Sequence, residues 1–218
     1  MPIQLQGNSG TIVEVGGTTF RGMRVEARPI EYGSFGHYRV AQTVGLVATQ
    51  TANGTLFSFR WGDATRLAAI TYMRLQLMQT AAATATIWPR YQIFVARSFT
   101  ASDSSGTAIT LTGNNMKKRT NMGTTLVTDM RFSAAAAGLT VGTRTLDANP
   151  IMEMPTNSTI TTPNAVLYSA VLDMEAGDMP IILAQNEGFI VRGPTTAFGA
   201  AGTADLVVDV AWAEVSSY

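Results

Sequence analysis

Between Arg66 and Met78 the side chains alternate. Leu67, Ala69, Thr71, Met73, Leu75 and Leu77 fall on one face, and Ala68, Ile70, Tyr72, Arg74 and Gln76 on the other. A helix would need apolar residues three and four apart, so this period of two predicts a β-strand. Just upstream, Phe57, Phe59 and Trp61 share a face of a second strand. Asn53-Gly54 stands between it and an apolar segment over 40–49, the strongest short hairpin signal because both residues accept positive φ. Further strands are predicted over 87–97 (Pro89 suggesting an edge or strand entry), 107–112, 124–132, 144–146, 165–172, 180–184, 188–192 and 205–215. In the last, Leu206, Val208, Val210 and Trp212 form one face, while Asp205 and Asp209 lie on the other as an exposed strand face.

Turn signals separate these runs, among them Ser104-Ser105-Gly106, Gly113-Asn114-Asn115, Gly177-Asp178 and Glu187-Gly188. The alanine-rich stretches 81–85 and 134–137 read as loops or single turns. Many short strands punctuated in this way predict an all-β, jelly-roll-like β-sandwich over residues 51–218. Residues 1–50 are cut into short pieces by glycines and read as an N-terminal arm or β-hairpin extension. Within it Thr11–Val15 and Thr18–Ala27 are expected to pair across Gly16-Gly17.

Composition narrows the function. Of 218 residues 46% are hydrophobic and only 14% charged, and the formal net charge is +0. Soluble domains usually carry roughly 25% charged residues. Threonine, serine, asparagine, glutamine and glycine must therefore make up much of this surface, which suits a protein whose faces are covered in an assembly. Lysine occurs only at Lys117 and Lys118; every other basic side chain is arginine, the cation preferred in interface ion pairs. The arginines are dispersed, so no basic patch predicts a nucleic-acid partner. With no cysteine, disulfides, thiolate catalysis and cysteine zinc sites are excluded. No apolar stretch approaches the ~20 residues of a membrane span. The first residues lack a basic segment followed by an apolar run, so a chain made in the cytoplasm without a signal peptide is expected.

Candidate chemistry is sparse. His37 is the only histidine, which rules out a paired-histidine metal site within one chain and gives it a structural or surface role. No phosphate-binding loop, dinucleotide fingerprint or serine nucleophile elbow occurs, so no catalytic residue, metal or cofactor is expected. Asp173, Glu175 and Asp178 around Gly177 read as a solvated turn. In Arg60, Trp61, Asp63 and Arg66 the arginines are placed to pair with Asp63 and fix the turn between two strands, as a structural corner or an interface. Lys117, Lys118 and Arg119, the one basic run, read as a solvated loop tip or a subunit contact. Residues 96–115, charged before the basic run's loop only at Arg97 and Asp103, read as a solvent loop or a strand edge offered to a neighbour.

Several segments resemble structural proteins encoded by tailed phages and prophages: Phe57-Ser58-Phe59-Arg60-Trp61-Gly62-Asp63-Ala64-Thr65-Arg66, Ala96-Arg97-Ser98-Phe99-Thr100-Ala101-Ser102-Asp103, Gly142-Thr143-Arg144-Thr145-Leu146-Asp147 and Leu183-Ala184-Gln185-Asn186-Glu187-Gly188-Phe189. The likeness extends over most of the chain beyond about residue 50. It implies a virion protein on the capsid surface, a cement or decoration protein whose partner is the major capsid protein. Three-fold lattice points then favour a homotrimer. The competing expectation is a receptor- or carbohydrate-binding module of a head fibre or tail, with Trp88 or Tyr91 stacking on a sugar ring. A hydrolase is the third.

Overall fold

The computed structural model describes residues 4–6, 12–14, 35–157, 167–173, 177–197 and 201–216. Among these residues the chain is all strand, turn and loop, and no helix is long and apolar enough to cross a membrane. It divides into two units, Met1–Glu31 and Tyr32–Tyr218. In the first, β1 (Gln4–Gln6) pairs antiparallel with β2 (Ile12–Glu14). The strand expected over 11–15 therefore pairs upstream, with Gln4–Gln6; its expected partner, 18–27, lies outside the described residues.

The second unit is two antiparallel sheets packed face to face. The strands are β3 (His37–Leu46), β4 (Thr55–Trp61), β5 (Leu67–Ala81), β6 (Arg90–Ala101), β7 (Thr107–Ala108), β8 (Val127–Phe132), β9 (Thr143–Leu146), β10 (Met152–Pro155), β11 (Leu167–Asp173), β12 (Ile181–Leu183), β13 (Glu187–Arg192) and β14 (Thr203–Val215). One sheet runs β11-β5-β14-β3, with β12 also on β5; the other runs β10-β6-β13-β4-β8-β7, with β9 also on β6. β3 pairs with β14 along its whole length. It therefore belongs to the sandwich, and the sequence boundary at residue 50 moves back to residues 31 and 32.

From β3 to β6 each successive strand crosses to the opposite sheet. Asn53, at φ 60, therefore turns the chain between sheets and does not close a hairpin. The turn expected at Glu187-Gly188 is the start of β13, and β10 is a strand the sequence pattern did not announce. The 81–85 and 134–137 stretches form no helix.

The alternation in β5 holds, but it changes phase. Met73, Leu75 and Leu77 enter the core, and so do Ala68 and Ile70. Opposite β14, Tyr72 faces Ala211 and Ile70 faces Trp212, which leaves Thr71 as the extra residue of a bulge. Its hydroxyl donates to the Ala211 carbonyl at 3.4 Å. Beyond the bulge the faces exchange, so Leu67 and Ala69 leave the face shared by Met73 and Leu75.

The core between the sheets is aromatic at its centre. Phe189 of β13 stacks between Phe57 and Phe59 of β4, with centroids 5.9 and 5.0 Å away. Phe59 meets Trp212 of the opposite sheet edge-on at 5.4 Å, and Trp212 stacks on Tyr38 at 5.4 Å. All are fully buried. The other face of the seven-stranded sheet is covered as well. Ser58, Phe94, Ala96 and Ile190 are buried although they lie outside the inter-sheet cluster.

Gly188 shows how closely β13 is pressed between β4 and β6. A Cβ there would land on the Phe59 carbonyl oxygen and 2.9 Å from the Phe99 ring. Gly188→Ala is expected to lower stability by about 1–3 kcal/mol through overpacking, read as a lower urea midpoint at unchanged slope. A wild-type midpoint would show that β13 has room there.

Candidate functional site

The segment Arg60 to Arg66 forms the corner between β4 and β5. Phe59 and Trp61 face inward, so Arg60 faces out. The Trp61 Nε1 donates to the Arg66 carbonyl at 3.0 Å. Asp63 Oδ1 accepts from the Thr65 amide, the Thr65 hydroxyl and the Arg66 amide at 2.8–2.9 Å, an Asx-type turn. These hydrogen bonds, Thr65's first, hold the Asp63 carboxyl below its ordinary pKa. The expected arginine–Asp63 pairing is replaced by backbone donors. Arg66 instead lies over the Phe35 ring at 4.3 Å.

Arg60 reaches across to the end of β6. Its Nε donates to the Phe99 carbonyl at 2.6 Å, Nη2 to the Thr100 carbonyl at 2.7 Å and Nη1 to the Ser102 hydroxyl at 3.1 Å. β6 kinks here: Ser98 has φ 49, and its register with β9 shifts between Arg97 and Ala101. The kink turns Phe99 over Gly188 on the outer side of the sheet. Arg60 satisfies the carbonyls that the kink releases from the ladder.

Asp103 and Arg144 form a second, deeper clamp. Their side chains are 0% and 2% exposed and in direct contact. The Gly142 amide donates to Asp103 Oδ1 at 2.8 Å, and Arg144 Nη2 donates to the Thr55 hydroxyl at 3.0 Å. The guanidinium lies 5.2 Å from the Phe99 ring centre. Burial pushes its pKa down to about 10, so it stays charged at neutral pH. Residues 97–106 are therefore fastened by Arg60 and Arg144 and are not a strand edge offered to a neighbour. Sequence reasoning missed this pair. Its signal was Asp103, a lone carboxylate in a long uncharged stretch.

The basic run follows the start of β3. Lys117 bridges Tyr38, the Arg39 amide donates to the Met116 carbonyl, and the Lys118 amide donates to the His37 carbonyl. The Lys118 and Arg119 side chains are exposed. His37 is 6% exposed, and burial, reinforced by Lys118 and Arg119, lowers its pKa to about 4. Nearby, Glu214 extends the inward series Leu206, Val208, Val210, Trp212, the period-two signal by which it could have been found. It is 2% exposed, and its Oε1 accepts from the Thr125 hydroxyl and the Leu126 amide, both at 2.7 Å. Burial raises its pKa against these hydrogen bonds. Tyr38 adds a bond to the Gly123 carbonyl at 3.0 Å. Together these groups hold residues 122–127 against the ends of β3 and β14.

Asp209 corrects a further expectation. It is 1% exposed, not part of an open strand face. Arg39 binds both of its oxygens, at 2.9 and 2.5 Å, and Arg74 adds a contact at 3.2 Å. Asp178 accepts from the Asp173 amide at 2.9 Å; Glu175 lies outside the described residues. Of the two aromatic candidates, Tyr91 is fully buried in the core, whereas Trp88 is 69% exposed. Among the described residues no three histidine or carboxylate side chains gather as a metal site.

Arg144→Ala is expected to cost about 3–5 kcal/mol, since it leaves Asp103 buried and uncompensated. Asp103→Asn combined with Arg144→Met should recover much of that loss in chemical denaturation; equal losses in the single and double variants would refute the coupling. His37 gives a pH limb. Its folded pKa near 4 lies below the ordinary 6.5, so the unfolded chain binds more protons in between. Its stabilising contribution is complete above 6.5 and is lost as pH falls toward 4. His37→Asn should flatten the melting temperature across that window, and an unchanged slope would exclude His37 as its origin. No protein-family model, curated protein or solved structure matches this chain.

Proposed function

We propose that this protein is a non-enzymatic structural component of a tailed-phage virion, a capsid cement or decoration protein that binds the major capsid lattice. The observation that carries the binding role is how its charges are used. Arg60, Asp103, Arg144, Arg39, Arg74 and Asp209 hold loops and strands in place. The segments beyond them present exposed threonine, serine and asparagine: 104–105, 107, 110, 112, 114–115, 120–121 and 124 are all exposed. Such a surface suits lasting contact with other subunits, where unpaired charge would be costly to desolvate. The phage assignment rests on the resemblance of the segments around 57–66, 96–103, 142–147 and 183–189.

The strand order supports the finer, jelly-roll reading. Of the eight strands β3, β4, β5, β6, β10, β11, β13 and β14, taken in chain order, the first, eighth, third and sixth fall in one sheet and the second, seventh, fourth and fifth in the other. That order is the one expected of a double Greek key such as viral capsid and lectin domains use. A homotrimer at a three-fold lattice point would gain from three identical contacts acting together.

Purified protein mixed with expanded capsids lacking it should co-sediment saturably, and gold-labelled antibody should decorate the heads of intact virions. Sedimentation velocity should give the trimer mass. Absence of the chain from mature particles, or turnover of a substrate by the pure protein, would overturn the proposal.

A further inference from the structure

The geometry points to a glycan-binding subsite on the outer face of the seven-stranded sheet, built on Trp88 and a polar row from β6, β10 and β13. Trp88 is the one aromatic among the exposed large apolar side chains of the described residues. Its exposure is held by the backbone and does not come from a loose loop. The next residue's carbonyl, that of Pro89, accepts from both the Thr156 amide at 3.0 Å and the Thr156 hydroxyl at 2.9 Å. Arg90 exchanges bonds with Thr195: its amide donates to the Thr195 hydroxyl at 3.0 Å, and its carbonyl accepts from the Thr195 amide at 3.0 Å. The backbone on either side of the contact is thus set before a flat partner lands on the exposed indole.

What surrounds it decides the partner. Tyr91 and Ile93 face the core, so Arg90 and Gln92 face outward, joined by Glu153 opposite Gln92 on β10 and Arg192 opposite Gln92 on β13. Across these strands the row spans about 10 Å, two strand spacings. Arg90 and Glu153 are paired at 3.0 Å, with side chains 60% and 32% exposed. The remaining links are long: Gln92 to Glu153 at 3.4 Å and Arg192 to Gln92 also at 3.4 Å. The Arg192 guanidinium carbon lies 4.3 Å from the Phe94 ring centre, with its Nε buried and its Nη2 turned to Gln92.

The row thus alternates donors (guanidinium) with acceptors (carboxylate, amide oxygen), joined beyond the Arg90–Glu153 pair only by long hydrogen bonds. A pyranose with neighbouring hydroxyls fits that chemistry. Each hydroxyl donates to Glu153 or Gln92 while accepting from an arginine, and the C–H face of a ring covers the indole. A protein anchor would instead call for an apolar surround that excludes water; Ile87 packs against the core, so Trp88 shares the outward side of the polar Arg90 and Gln92.

The test uses the full-length protein on a microarray of bacterial surface oligosaccharides, with each hit titrated calorimetrically as the free oligosaccharide. Saturable binding is expected, weakened about tenfold or more by Trp88→Ala and largely kept by Trp88→Phe. Because Trp88 is exposed, both variants should melt with the wild type. Arg192→Lys should also weaken binding by removing the planar fork. No saturable glycan, binding that survives Trp88→Ala, or loss of capsid co-sedimentation in Trp88→Ala without any glycan binding would overturn the inference. Failure of the virion proposal leaves this result untouched, since the titration contains no capsid.

Discussion

The contact between Phe59 and Trp212 joins the two sheets, and the rest of the structure is arranged around it. Phe59 belongs to the seven-stranded sheet and Trp212 to the five-stranded one, and each is backed by a stacked neighbour, Phe189 and Tyr38. Large rings at the centre of the interface set how closely the strands beside them must pack. β13, which carries Phe189, lies between β4 and β6, and Gly188 is the residue whose missing side chain allows it. Phe99 fills the space outside that glycine. The outer face of the sheet is thereby apolar too, at Phe94, Ile190 and Phe99, and the long excursion from β6 to β10 has to fold back over it.

A folded-back excursion brings polar backbone with it, and this explains where the few charges went. Arg60 takes carbonyls at the β6 kink, and Arg144 with Asp103 ties residues 103 and 142–144 to Thr55. A buried pair of this kind adds little net stability over a hydrophobic equivalent, but it penalises any arrangement that separates the partners. In this protein it selects one path for the excursion. The low charged fraction then has a structural counterpart: Arg39, Arg60, Arg74 and Arg144 serve as geometric ties, and much of the surface of the excursion is left to threonine, serine and asparagine.

The sequence revealed whatever depends on local periodicity. The strands read from alternation over 56–61, 66–78 and 205–215 are the cores of β4, β5 and β14, and the inward series ending in Trp212 follows in the same way. Glu214 follows as well if the series is extended by one step. Other features depended on partners distant in sequence. The Thr71 bulge exists because β5 must match β14, and nothing in the run from Leu67 to Leu77 marks it. Asn53-Gly54 carries the turn chemistry of a hairpin, but the strands it joins enter different sheets because β14, far along the chain, claims β3. Asp63 looked like the partner of two arginines. The amides of Thr65 and Arg66 were nearer, and local backbone donors satisfied it first. Asp209 looked exposed on parity, and only the approach of Arg39 and Arg74 from neighbouring strands buries it.

The treatment of the strand edges bears on how such a domain meets a partner. An open edge invites pairing with another chain. Here the start of β3 is bridged by residues 116–118, and β7 is only two residues long. β10 ends in Pro155, which has no amide to donate. The outer side of β5 is shared between two short strands, β11 and β12. Each device shortens or blocks the backbone ladder a visiting strand would need. On the proposed role, a domain with these edges shortened or blocked would meet partners chiefly through side chains on its faces and loops. On that reading the exposed threonine-rich loops and the polar row of β6, β10 and β13 would be such surfaces, the row being already joined by side-chain hydrogen bonds.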